Sequence, residues 1–198
     1  MHSAITTDTE LWIELISGNE RAFSLLFKRH YPSLINYGKS ITLHHNLVGD
    51  CIQDVFADVW LYRQKLIIPD SVKAYLLSGL RKRIARKIER DSIFKRSTGI
   101  DQLEFSATFT VLDQLITDEE TQLQVEYLNI LINKLPPRQK EALYLRYYQQ
   151  LSIDQIADMM QMNYQSVVNL LHRAIKQLRN VWKGELPQMF ILFTLAFA

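Results

Sequence analysis

Between Leu135 and Arg179 apolar side chains return at helical intervals, and two polar interruptions cut the pattern into three segments. Leu135-Pro136-Pro137 opens the first, because proline is tolerated in a first helical turn, where its missing N–H costs nothing. That helix is predicted to run to about Gln149. Ser152 is placed to cap a short second helix with Ile153, Ile156, Ala157 and Met160 on one face, the small Ala157 letting a neighbour come close. Gln161-Met162-Asn163 forms the turn. Asn163 can cap a last helix that turns Val167, Leu170, Leu171, Ala174, Ile175 and Leu178 inward and Gln165, Ser166, Asn169, His172 and Arg173 outward. A plain three-helix bundle has the same periodicity, but the caps and the turn favour a helix-turn-helix whose outward face reaches base edges and phosphates. Gln161 stands where glycine is usual in such a turn. A left-handed conformation there costs a non-glycine residue about 1 kcal/mol, so a turn of slightly different shape is expected.

Upstream, Asp8 to Phe27 reads as one helix with Leu11, Leu15, Phe23, Leu26 and Phe27 inward, interrupted near Ser17-Gly18-Asn19, and a second is expected after Pro32. In DCIQDVFADVWLYRQKL, residues 50–66, the inward stripe is Ile52, Val55, Phe56, Val59 and Trp60. Asp50, Asp54 and Asp58 recur at i, i+4 and i+8, where like charges repel. Such a row is either a solvated face or a surface that docks on a basic partner. After a loop from Leu66 to Ser71 comes the basic heart of the chain: nine cations from Lys73 to Arg96 against Glu89 and Asp91. Leu77, Leu80, Ile84 and Ile88 share one side of this helix, while Tyr75, Lys82, Arg86 and Arg90 lie roughly opposite, with Gly79 between them to let a backbone approach. Lysine and arginine neutralise phosphates and an aromatic face stacks on an unpaired base, so the combination suits nucleic acid. The alternative is a solubilising face with Tyr75 at its rim.

The 198 residues, 47% of them apolar, suffice for two small all-α domains. Their net charge of +2 hides a division. Residues 1–96 carry 15 basic and 10 acidic side chains; 97–126 carry seven acidic and no basic ones; 127–198 carry eight basic and four acidic ones. Two basic domains thus flank an acidic connector, which has no clear period before about Glu119 and reads as a linker leading into a helix. Cys51 is the only cysteine and the five histidines are scattered, which excludes an internal disulfide and offers no metal-ligand spacing. The first ten residues have neither the basic stretch nor the apolar core of a secretion signal, so a cytoplasmic protein is expected. After Leu186 the chain has no charged residue, yet this run is shorter than the about 20 residues of a membrane span. It is expected to pack on the last helices or to dock on a partner or a membrane surface.

In order and content these segments resemble the sigma-70 family of RNA polymerase sigma factors, in the small extracytoplasmic function (ECF) subgroup. DCIQDVFADVWLYRQKL is similar to the region 2 helix that docks on core polymerase; the resemblance implies that role for Asp50, Gln53, Asp54, Phe56 and Asp58. VKAYLLSGLRKRIARKIER is similar to the helix that melts and reads the −10 element, which implies DNA contacts from Tyr75, Arg81, Lys82, Arg86 and Arg90. Lys82, Ser78 and Gly79 depart from the family's usual asparagine, arginine and aliphatic residue. The loop Leu66 to Lys73 matches the segment that captures a flipped base. LPPRQKEALYLRYYQQLSIDQIADMM and YQSVVNLLHRAIKQLR resemble region 4, whose −35 contacts would fall on Tyr164, Gln165, Ser166, Asn169, His172 and Arg173. Gln165 and Asn169, a turn apart, can each pair with adenine N6 and N7, so adenine is expected in the −35 element.

The implied organisation is region 2 over residues 8–96, an acidic linker over 97–122, region 4 over 123–183 and an apolar tail over 184–198. The implied partners are core RNA polymerase, promoter DNA and an anti-sigma protein, with no small-molecule substrate, no cofactor and no metal. A stand-alone helix-turn-helix repressor or activator is the other reading; it would bind duplex without polymerase and usually as a dimer. An enzyme is not expected, since no Gly-rich phosphate loop, Ser/His/Asp set or clustered carboxylate pair appears.

Overall fold

The computed structural model describes residues 6–42, 44–95 and 119–182, and among them every regular element is helical. The chain divides into two compact units between Leu103 and Glu104. Residues 96–118, most of the acidic stretch, and the apolar run from 183 onward lie outside the described residues.

Unit 1 is a four-helix assembly. Helix α1 (Asp8–Ile16) starts at a capping box in which the Thr7 side chain accepts from Glu10 N–H while the Glu10 carboxylate accepts from Thr7 N–H. It stops at Ser17, where Gly18 takes φ 92°, and Asn19 opens α2 (Glu20–Ile41) by accepting from the N–H groups of Arg21 and Ala22. The expected interruption is therefore present, but the expected helix start after Pro32 is not: Pro32 lies inside α2. An interior proline costs about 3 kcal/mol through a lost hydrogen bond and a ring clash. Against that, one continuous helix keeps Leu26, His30, Leu34, Tyr37 and Ile41 buried on a single face.

Helix α3 (His45–Leu61) begins earlier than its most regular stretch suggested and lies against α2 at close range. A Cβ on Gly38 would come 2.2 Å from Val48 Cγ1, so only glycine permits this approach. A 3-10 turn (Arg63–Lys65) leads to α4 (Val72–Lys95), whose first turn Ser71 caps by accepting from Ala74 N–H. Leu77, Leu80 and Ile84 are buried as the periodicity required, together with Leu76, whereas Ile88 is only half-buried.

Unit 2 contains α5 (Glu119–Asn133), α6 (Pro137–Leu143), α7 (Ile153–Met160) and α8 (Tyr164–Val181). Pro137 occupies the first turn of α6, as its missing N–H allows. The helix predicted to reach Gln149 does continue, but as a π turn over Tyr144–Tyr148. There Tyr144 and Tyr148 stack at 4.6 Å and Gln149, 2% exposed, donates to the Tyr144 hydroxyl at 3.1 Å. Burial pushes the Tyr147 phenol up to about 12 and the Tyr144 phenol further still, so both rings stay neutral near pH 7.

Candidate nucleic-acid interface

The second half of unit 2 is built from two caps and a strained corner. Ser152 and Gln155 form a reciprocal capping box at the start of α7, and Ile156, Ala157, Met159 and Met160 are buried behind it, with Ile153 half-exposed. Gln161 ends α7 in the left-handed conformation, φ 54° and ψ 50°, and its N–H and that of Met162 return to carbonyls of Asp158 and Ala157. The standard turn shape is thus kept and the backbone carries the strain, contrary to the expectation of an altered turn. Asn163 Oδ1 then accepts from Ser166 N–H at 2.7 Å and starts α8.

With that start fixed, the inward face of α8 is Val167, Leu171, Ala174, Ile175 and Leu178, all buried. Leu170, read as inward, is half-exposed, and Ser166, read as outward, is partly covered. Tyr164, Gln165, Asn169, His172 and Arg173 are exposed. Gln165 Nε2 donates to Asn169 Oδ1 at 3.2 Å, so these two amides hold each other on the outer face. Asn163 opens α8 at the foot of this face, and a helix start favours phosphate.

In unit 1 the α4 surface carries the second candidate face. Lys82, Arg86 and Arg90 are exposed and Arg81 is half-buried. Tyr75, 39% exposed, leans edge-on against Trp12, with ring centres 5.2 Å apart. Burial first, and Asp58 second, push the Tyr75 phenol up, so it presents a neutral ring. Trp12 is itself buried and donates from Nε1 to the Ile67 carbonyl at 3.2 Å, which ties the loop between α3 and α4 to α1. That loop holds its apolar side chains outward: Ile67 is 82% and Ile68 52% exposed. Gly79, read as a place for DNA to approach, faces Val55 of α3 instead, at 3.5 Å from an added Cβ. It serves the contact between helices.

The α3 residues sort differently from their sequence pattern. Asp50 and Gln53 are exposed. Phe56, read as a docking residue, is 2% exposed and packs against Phe23 and Phe27, with ring centres 5.9 and 4.9 Å away, so it has no face to offer a partner. Trp60, read as core, is half-buried beside Phe23 and under the Arg63 guanidinium, 4.4 Å from its ring centre. Asp54 and Asp58 are not a bare repulsive row. Arg83 of α4 pairs with Asp58 and, at 3.2 Å, with Asp54; Lys87 reaches Asp54 at 3.6 Å. The sequence reading missed Arg83 and Lys87, although their i, i+4 spacing matches that of Asp54 and Asp58. Among the described residues no group of histidines, cysteines or carboxylates could hold a metal, and no helix is long and apolar enough to cross a membrane.

Comparison with known proteins agrees with this geometry. Residues 127–178 match the family "Sigma-70, region 4". Among curated proteins no sequence matches the chain. Among the solved structures that share the fold are two matched over most of their length. One is CnrH in complex with the cytosolic domain of CnrY: 20% identity, TM-score 0.58, covering 88% of this chain and 96% of that one. The other is the sigma factor RpoE in complex with the anti-sigma factor NepR from Bartonella quintana: 17% identity, TM-score 0.59, covering 83% of this chain and 98% of that one. Residues 127–178 thus match sigma-70 region 4, and the described residues share the all-helical fold of these solved structures.

Proposed function

We propose that this protein is an ECF-type sigma factor: it binds core RNA polymerase and directs initiation by reading a −35 element with unit 2 and opening a −10 element with unit 1. The observation that carries the reading is the region 4 match over 127–178, coinciding with a capped helix-turn-helix whose outer face is polar and exposed. Tyr164, Gln165, Ser166, Asn169, His172 and Arg173 are the −35 contacts. Tyr75, Arg81, Lys82, Arg86 and Arg90 are the −10 contacts, with the loop from Leu66 taking an unstacked base. Asp50, Gln53, Asp54 and Asp58 dock on the polymerase, and Phe56 supports them from beneath.

On this reading residues 8–96 are region 2, 97–122 the acidic linker, 123–183 region 4 and 184–198 an apolar tail. No bond is made or broken by the chain. Unstacking DNA costs a few kcal/mol per step, more than an exposed cationic helix supplies alone, so the polymerase must hold the protein against its promoter. The protein acts in the cytoplasm, where polymerase and promoter are. An anti-sigma protein is its further partner, since similar folds have been solved with NepR and with the cytosolic domain of CnrY.

The test is transcription by sigma-free bacterial core polymerase on genomic DNA, with and without the protein, mapping transcript 5′ ends. New starts that share two upstream elements are expected. Specific duplex binding by the chain alone, without new starts, would instead place it among stand-alone helix-turn-helix regulators. Asp54→Lys is expected to weaken core binding with the fold intact; unchanged affinity would remove the docking role.

A further inference from the structure

The cations of α4 are not all equally available. At about 100° per residue, Arg83 lies within about 20° of Arg90 and about 60° of Arg86 around the helix, and Lys87 is the next residue along the same stripe. Lys82, Arg86, Arg90, Arg83 and Lys87 therefore form one continuous cationic arc. Its first three members are exposed, while Arg83 and Lys87 bend toward α3 and pair with Asp54 and Asp58. Those carboxylates are the ones proposed above to meet a basic polymerase surface.

We infer that Arg83 and Lys87 are phosphate-binding residues held in reserve by Asp54 and Asp58, and that docking on the polymerase releases them. The inference rests on the docking role proposed for the α3 carboxylates. In the free protein the two cations are engaged internally, and a carboxylate that accepts a polymerase cation gives up α4's. Each half of the exchange replaces one partly exposed ion pair by another, so it is nearly balanced and readily driven by docking. The freed side chains then extend the α4 arc along the DNA backbone. A sigma-like chain with this device binds DNA weakly until it is seated.

Two measurements on the full chain test this. The first is binding of a mixed-sequence single-stranded oligonucleotide at several salt concentrations, without polymerase. Each recruited phosphate contact steepens the dependence of log K on log salt by about 0.7. D54N/D58N is expected to steepen it by about 1.4, and R83Q/K87Q in that background to restore the original slope. An unchanged slope in D54N/D58N overturns the reserve. The second is core binding by R83Q, which removes the competitor and leaves the carboxylates. Tightening of about two- to fivefold is expected, the range of an exposed ion pair. Weaker or unchanged binding overturns the exchange and makes Arg83 a brace between helices. Thermal unfolding of each variant separates these outcomes from loss of fold, and Asp54→Lys reports separately on the docking role.

Discussion

Gln165 donates from its side-chain Nε2 to the side-chain Oδ1 of Asn169 across 3.2 Å, one turn along the exposed face of α8. The two residues proposed to read adenine are thus held as an oriented pair, the form in which they would meet DNA. Gln165→Ala and Asn169→Ala are each expected to relax −35 preference by about 1–3 kcal/mol. Because each change also frees the other amide, the double variant should lose less than the sum. Promoter selection from a randomised −35 library checks both points, and preferences unchanged in both single variants would remove the assignment.

The corner between α7 and α8 carries a removable cost. Gln161 is exposed and holds φ 54°, so its side chain gives little in return for the left-handed backbone. Gln161→Gly is expected to stabilise the protein by about 0.5–1 kcal/mol. Urea unfolding measures it; a loss of stability would mean that the glutamine makes a contact worth more than its strain.

Gly38 and Val48 mark the closest approach of α2 and α3. A methyl group on Gly38 would lie 2.2 Å from Val48 Cγ1, and a β-branched neighbour in a helix cannot rotate away. Gly38→Ala is expected to destabilise the protein by about 1–3 kcal/mol, and Val48→Ala in the same chain to recover part of the loss. Thermal unfolding of the two variants is the check, and an unaffected Gly38→Ala would show that the helices can separate cheaply.

His30 makes unit 1 sensitive to acid. It is 5% exposed, and its Nε2 lies 3.0 Å from Asp8 Oδ2, outside the geometry of a hydrogen bond. Burial holds the imidazole below its ordinary value of 6.5; Asp8 pulls the other way, while Arg29 and Lys73 add to the lowering. Lys73, in turn, is lowered by burial and raised by Asp8. The unfolded chain therefore takes up a proton at His30 before the folded one does. That contribution is complete above about pH 6.5 and is lost as the pH falls through the unfolded value toward the lower folded one. His30→Gln should flatten the fall in stability between pH 7 and pH 5, read by denaturant unfolding at each pH. An equally steep fall in the variant would assign the acid sensitivity elsewhere.

What was legible from sequence alone was local. Ser152 and Asn163 act within three residues of themselves, so these caps and the helix starts they set could be seen, and with them the outer face of α8. Pro32 was misread because its cost is local while the burial that outweighs it, at Leu26, His30 and Tyr37, depends on other helices. Phe56 and Trp60 share one helix face, and only Phe23 and Phe27 of α2 determine which of them is sealed. The acidic row read as repulsive because Arg83 lies 25 residues beyond Asp58 and comes near only when α4 folds back along α3.

If the loop captures a promoter base, as proposed, the bond from Trp12 to the Ile67 carbonyl constrains any redesign of promoter choice. The loop that presents Ile67 and Ile68 is pinned from α1, and the same indole supports Tyr75 at the head of α4. Such a loop is not a portable cassette. Moved into a relative that lacks the tryptophan, it would arrive without its anchor, so the transferable part is the loop together with α1.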